Sequence, residues 1–161
     1  MDIQKLKIEY YVYEDENGLS ASDLELIQAA KACLKDSYSP YSNFKVGCAI
    51  KLGNGKIITG TNQENASFPV GLCAERVALS AADALYRSEK IVEMAITASS
   101  NKHLIDHPVS PCGSCRQAIS EAQQKSGNAI RLILQGEKGE VHIFESIDPL
   151  LPFSFDNQYL Q

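Results

Sequence analysis

The sequence predicts an α/β fold: a central mixed five-stranded sheet with helices packed on it, plus an extra N-terminal strand. Three observations carry this. Residues 44–52 alternate, with Phe44, Val46, Cys48 and Ile50 on one face, and Gly53-Asn54-Gly55 follows as a tight hairpin turn. Ala74, Val77, Ala78, Ala81, Ala82 and Leu85 recur at helical spacing, with a narrow small-residue face that fits closely on a sheet. Gly136-Glu137-Lys138-Gly139 is too short for a crossover, so the last two strands must be antiparallel.

The elements follow in order. Leu6, Ile8, Tyr10 and Val12 alternate and predict a strand that Asn17-Gly18 ends as a turn. Ser22-x-x-Glu25 reads as a capping box. Leu26, Ala29, Ala30, Cys33 and Leu34 then mark a first helix running to about Asp36. After the Ser39–Asn43 loop and the strand at 44–52, Lys56 to Asn62 returns antiparallel. A helix opens at Cys73, and Ile91 to Ala98 is a buried strand. A third helix starts at Pro111 or Cys112 and ends near Gly127. Ile130–Gln135 and Val141–Phe144 are the last strands, giving β-α-β-β-α-β-α-β-β.

The 161 residues suffice for one domain, 1–161, with 1–20 as an N-terminal extension. Hydrophobic residues at 44% and charged residues at 22% are ordinary for a globular protein. No apolar run is long enough for a membrane, and Met1-Asp2-Ile3-Gln4-Lys5 lacks a signal peptide's apolar region. The expected location is the cytoplasm, where five reduced cysteines favour a metal or core role over disulfides. A formal net charge of −5 and the lack of any Lys/Arg block count against a nucleic-acid partner.

Two short strings carry the chemistry: Cys73-Ala74-Glu75-Arg76 and Pro111-Cys112-Gly113-Ser114-Cys115. They supply three thiolates for one metal and an acid beside them. A structural zinc closes its shell with four protein ligands, whereas a catalytic zinc keeps one position open. Cys73, Cys112 and Cys115 are therefore expected to hold a hydrolytic Zn²⁺. Residues three apart on a helix share a face, so Cys112 and Cys115 can converge. Helix N-termini favour thiolate over thiol. Three thiolates leave the group negatively charged, and Arg76 is expected to donate hydrogen bonds to them and restore the balance. Glu75, two positions past a ligand, is expected to move protons. On its own it would read as an acid stabilising a helix N-terminus, just as Cys112-x-x-Cys115 alone would read as a redox pair. Cys33 and Cys48 lie on apolar faces and read as core. His103, His107 and His142 have no ligand-like spacing and read as structural or solvated.

From about Leu24 to Phe153 the chain resembles the homotetrameric, zinc-dependent cytidine deaminases of free nucleosides. The resemblance rests on Tyr41-Ser42-x-Phe44-x-Val46-Gly47, Gly60-x-Asn62-x-Glu64-Asn65-Ala66-Ser67, both cysteine strings, and Leu150-Leu151-Pro152. It implies a three-layer cytidine-deaminase-like fold with helices on both faces of the sheet, a single zinc per chain, and a homotetramer with shared active sites. It also implies hydrolysis of cytidine and 2'-deoxycytidine to uridine and 2'-deoxyuridine with release of ammonia, in pyrimidine salvage. Glu75 would carry a proton from the attacking water to N3 of the ring and then to the leaving amine. Phe44 would contact the pyrimidine or sugar wall. Asn62 and Glu64 would bond the ribose hydroxyls, as their shared strand face allows. A carboxylate there would also repel a nucleotide's phosphate. Ala66 would offer backbone contacts to the base, Phe68 would reach a neighbouring subunit's site, and Phe153 or Phe155 would stack on a base in another subunit. Cys48 stands where the family usually has Ala, and the N-terminal strand and the tail from Asp156 extend beyond the family's compact core. Other readings of the same strings are a nucleic-acid editing deaminase, a blasticidin-S-type deaminase, and a non-catalytic zinc or dithiol module.

Overall fold

Alternation and helical spacing resolve into nine main elements in the computed structural model, which describes residues 1–160. They are β1 (Tyr11–Tyr13), α1 (Ala21–Cys33), β2 (Phe44–Leu52), β3 (Ile57–Thr61), α2 (Ala74–Leu85), β4 (Ile91–Ser100), α3 (Gly113–Ser126), β5 (Arg131–Gln135) and β6 (Val141–Phe144). The sheet order is β1-β6-β5-β4-β2-β3. β4 and β5 run parallel, and every other neighbouring pair is antiparallel. The expected mixed sheet is present, with the N-terminal strand joining it as a sixth member.

The alternation of buried positions divides the core into two layers. Ala49, Ala95 and Ile133 point to one face and meet Leu26, Ile27 and Ala30 of α1. Cys48, Ile50, Met94, Ile96 and Leu132 point to the other and meet Ala74, Ala78 and Ala82 of α2 and Ile119 of α3. Helices thus cover both faces, which is why β4 reads as a nearly continuous apolar run. Two glycines set the helix distances. A Cβ on Gly47 would lie 2.2 Å from the Ala30 carbonyl oxygen of α1, and one on Gly60 would lie 2.5 Å from the Ala78 nitrogen of α2. No larger residue fits either place without moving a helix.

Two local expectations need correction. The predicted strand over Leu6–Val12 shrinks to Tyr11–Tyr13, which pairs with Val141–Ile143. β6 ends at Phe144, so residues before Tyr10 have no neighbour in the sheet. The cap of α1 is Ser20 rather than Ser22: its Oγ accepts from the Asp23 amide at 3.1 Å. Ser22 instead accepts from Lys51 Nζ at 2.6 Å. Asp23 is buried and takes both Nη groups of Arg131, tying α1 to β5. α1 also gives way at Leu34 to a 3₁₀ turn that reaches Asp36. Among the described residues no helix is long and apolar enough to cross a membrane.

Candidate active and metal site

Two helix starts meet at one corner of the sheet. β3 leads into a loop that folds back on itself, because Gln63 and Leu72 exchange backbone hydrogen bonds of 2.9 Å in both directions. This returns the chain beside Asn62 just before α2, whose N-cap is Cys73. α3 begins with Cys112 as N-cap, so Cys115 falls on its first turn. Arg116, not noted in the sequence, fixes this corner. Its Nε donates to the Pro111 carbonyl at 2.8 Å and its Nη1 to the Leu150 carbonyl at 3.0 Å.

The three thiols converge. Cys73 Sγ lies 3.9 Å from Cys112 Sγ, and Cys112 Sγ lies 3.4 Å from Cys115 Sγ. All three sulfurs fall within 4.8 Å of one another. A tetrahedral zinc with bonds of about 2.3 Å would hold its sulfurs about 3.8 Å apart, so the donor set and spacing fit that ion. Among the described residues no fourth His, Cys, Asp or Glu joins the cluster. The Cys73 thiol is brought down to about 6, chiefly by its hydrogen bond with Cys115, and the Arg76 charge adds to this. The same bond, with burial, pushes the Cys115 thiol up. Arg76 itself is exposed and, among the described residues, makes no hydrogen bond to a thiol. Its influence in this structure is electrostatic.

Glu75 sits on the first turn of α2 and is 4% exposed. Burial raises its carboxyl above the ordinary glutamate range, against smaller opposing effects from its own backbone amide and Cys115. A carboxyl that holds a proton more readily, beside three potential metal ligands, is suited to pass protons back and forth.

Both features open onto a cavity of about 600 Å³. Of the sequence-predicted residues, Phe44, Asn62, Glu64, Phe68, Cys73, Glu75 and Cys112 line it. Cys115 is fully buried behind it. Asn62 is locked in place: its Oδ1 accepts from the Val46 amide at 2.8 Å and the Ser37 hydroxyl at 2.6 Å, and its Nδ2 donates to the Phe44 carbonyl at 2.9 Å. Glu64 accepts from the amides of Tyr41 and Ser42 at 2.8 and 3.3 Å. Hydrogen bonding, led by the Ser42 side chain, holds its carboxyl below the usual range. A fixed amide and an ionised carboxylate on the same wall can receive hydroxyl groups of a polar ligand.

Three predicted residues stand elsewhere. Ala66 is exposed and outside the cavity lining, although its neighbour Asn65 lines it. Arg76 faces the surface between α2 and α3. Phe153 is 90% exposed and does not line the cavity of its own chain. Phe68 lies on the rim, 75% exposed, its ring edge-on to Tyr41 at 5.9 Å. The cavity also takes Val46, Ile96, Val109 and Ser110, which the sequence did not single out for the site. Val46 was available to sequence reasoning, since it shares the Phe44 face of β2. Nothing local marks Val109 or Ser110 beyond their place just before Pro111.

The family model for the cytidine and deoxycytidylate deaminase zinc-binding region matches residues 20–128. A cytidine deaminase of Halalkalibacterium halodurans is 37% identical over 130 residues, 81% of this chain and 91% of the relative. One from Sporosarcina psychrophila is 35% identical over 138 residues, covering 84% and 93%. Among solved structures, the cytidine deaminase from Burkholderia pseudomallei aligns with a TM-score of 0.70 at 39% identity, covering 81% of this chain and 97% of that one. An α/β scaffold that brings three thiols and a buried acid to one cavity thus defines a zinc-binding deaminase fold. The chain belongs to the cytidine and deoxycytidylate deaminase zinc-binding family.

Proposed function

We propose that the protein hydrolyses cytidine and 2'-deoxycytidine to uridine and 2'-deoxyuridine, releasing ammonia, as a step in pyrimidine salvage. One observation carries the reading: a buried acid lies beside a three-thiol cluster on a cavity that Asn62 and Glu64 also line. The named relatives support the substrate class. Cys73, Cys112 and Cys115 hold the zinc. When bound, zinc supplies the Lewis acidity that makes water a nucleophile near neutral pH. Glu75 takes the proton of the attacking water, places it on N3 of the pyrimidine, and later delivers a proton to the departing amine. Burial suits it to both tasks. Phe44 packs against the base or sugar, while Asn62 and Glu64 orient the ribose. The charge on Glu64 disfavours nucleotides.

Residues 1–161 act as one domain. The exposed Phe68 and Phe153 fit a homotetramer in which each subunit completes a neighbour's site, and the reduced thiols suit the cytoplasm. The test follows the loss of ultraviolet absorbance with cytidine, deoxycytidine and cytidine monophosphate. Both nucleosides should turn over and the nucleotide should be poor. Glu75→Gln should keep zinc and fold but lose roughly a thousandfold or more in turnover. Near wild-type rates in that variant would remove Glu75 from the proton path. Activity confined to an oligonucleotide or a cytosine-containing antibiotic would replace the substrate.

A further inference from the structure

We propose that residues 5–11 form an antiparallel strand pair with the same residues of a second copy of this chain, in the register centred on Ile8. The segment precedes the family-matched residues 20–128. Leu6, Ile8, Tyr10 and Val12 alternate with polar or charged residues, the pattern of a strand with one covered face. Yet all four are exposed in the single chain, at 46–59%. The sheet reaches only Val12, which pairs with His142, and the Tyr10 ring; Leu6 and Ile8 lie beyond the end of β6 at Phe144. Tyr10 shows where the apolar face begins: its ring stacks on Phe144 at 5.0 Å and tilts against His142 at the same distance. A second strand beside residues 5–11 would continue that apolar surface and satisfy an open edge.

The side chains select the partner and the register. Centred on Ile8, the pairing places Ile8 on Ile8, Leu6 on Tyr10 and Lys5 on Tyr11. Lys7 faces Glu9 twice, by the two-fold symmetry of a contact between like surfaces. Neighbouring registers fail. Centring on Lys7 sets Lys7 against Lys7, and centring on Glu9 sets Glu9 against Glu9. Centring on Tyr10 sets Leu6 against Glu14. A slip by one residue places the apolar face against the charged one. Lys7 and Glu9 pair with each other at 2.6 Å in one chain and are 82% and 77% exposed, so each can exchange that partner for the opposite charge of a facing strand. This opposite-charge complementarity within one short segment is what commits the edge to a second copy.

The test uses the full chain carrying Ile8→Cys under mild oxidation. A covalent dimer should appear on a non-reducing gel, above the level of the unsubstituted protein with its native thiols. Glu9→Cys should give none, because its own counterpart lies out of bonding reach. Adding Lys7→Glu to Ile8→Cys should lower the dimer yield roughly fivefold, since two opposite-charge pairs become like-charge pairs. The combined Lys7→Glu and Glu9→Lys exchange should restore it. Thermal midpoints should stay level across the set, since the segment lies outside the core. No dimer from Ile8→Cys, equal yields from both cysteine positions, or no recovery on exchanging the charges would each overturn the proposal. None of these readouts depends on the deaminase activity.

Discussion

The two ends of the cavity are built by different means. At one end, Cys73, Cys112 and Cys115 sit on helix starts and point their sulfurs at one another, with Glu75 buried beside them. At the other, Asn62 and Glu64 leave β3 on a loop, and their side chains are consumed largely by the chain's own backbone. The first end gathers three thiols at metal-ligand spacing with, among the described residues, no fourth protein ligand. The second spends its polar groups on holding a wall in shape. Chemistry therefore depends on a bound ion, while recognition depends on a preorganised surface. At the thiol end α2 and α3 are held independently, by the Gly60 approach and by Arg116.

The contrast implies a graded set of outcomes. Cys115→Ala should have the largest effect. It removes a fully buried ligand, so zinc measured on the purified protein should fall away, turnover should vanish, and thermal stability should drop. Retained zinc would show that the thiol end does not need all three sulfurs. Asn62→Ala should come next. It strips hydrogen bonds from Phe44, Val46 and Ser37, and should lower unfolding free energy by about 2 kcal/mol while zinc stays bound. A KM rise without any stability loss would make Asn62 a pure ligand contact and erase its part in shaping the wall. Glu64→Gln should be mildest. The kcat/KM for cytidine should fall about tenfold, and the preference for cytidine over its monophosphate should narrow. An unchanged preference would show that the Glu64 charge does not exclude phosphate.

How much of this was legible in the chain varies by element. β2 was read to the residue, because alternation, the Gly53-Asn54-Gly55 turn and its antiparallel return are all local. The cysteine strings are equally plain, since Cys112 and Cys115 fall within one helical turn and Cys73 with Glu75 within another. The cap of α1 was misplaced by two residues: Ser20 and Ser22 are chemically alike, and Lys51, remote in sequence, claims the second hydroxyl. The N-terminal strand was overextended because a strand's length is set by its neighbour, and β6 stops first. The apolar cavity residues Ile96 and Val109 look like any core positions until two distant segments enclose one space.

The local order of residues thus determined the α/β succession, the three thiols and their adjoining acid. These follow from spacing along one strand or one helical turn. The tertiary structure alone decided that the Cys73 and Cys112 helix starts meet, that Glu75 is buried enough to hold its proton more tightly, and that Phe153 faces away from its own cavity. Burial and electrostatic coupling arise from segments far apart in the chain, and no short pattern encodes them.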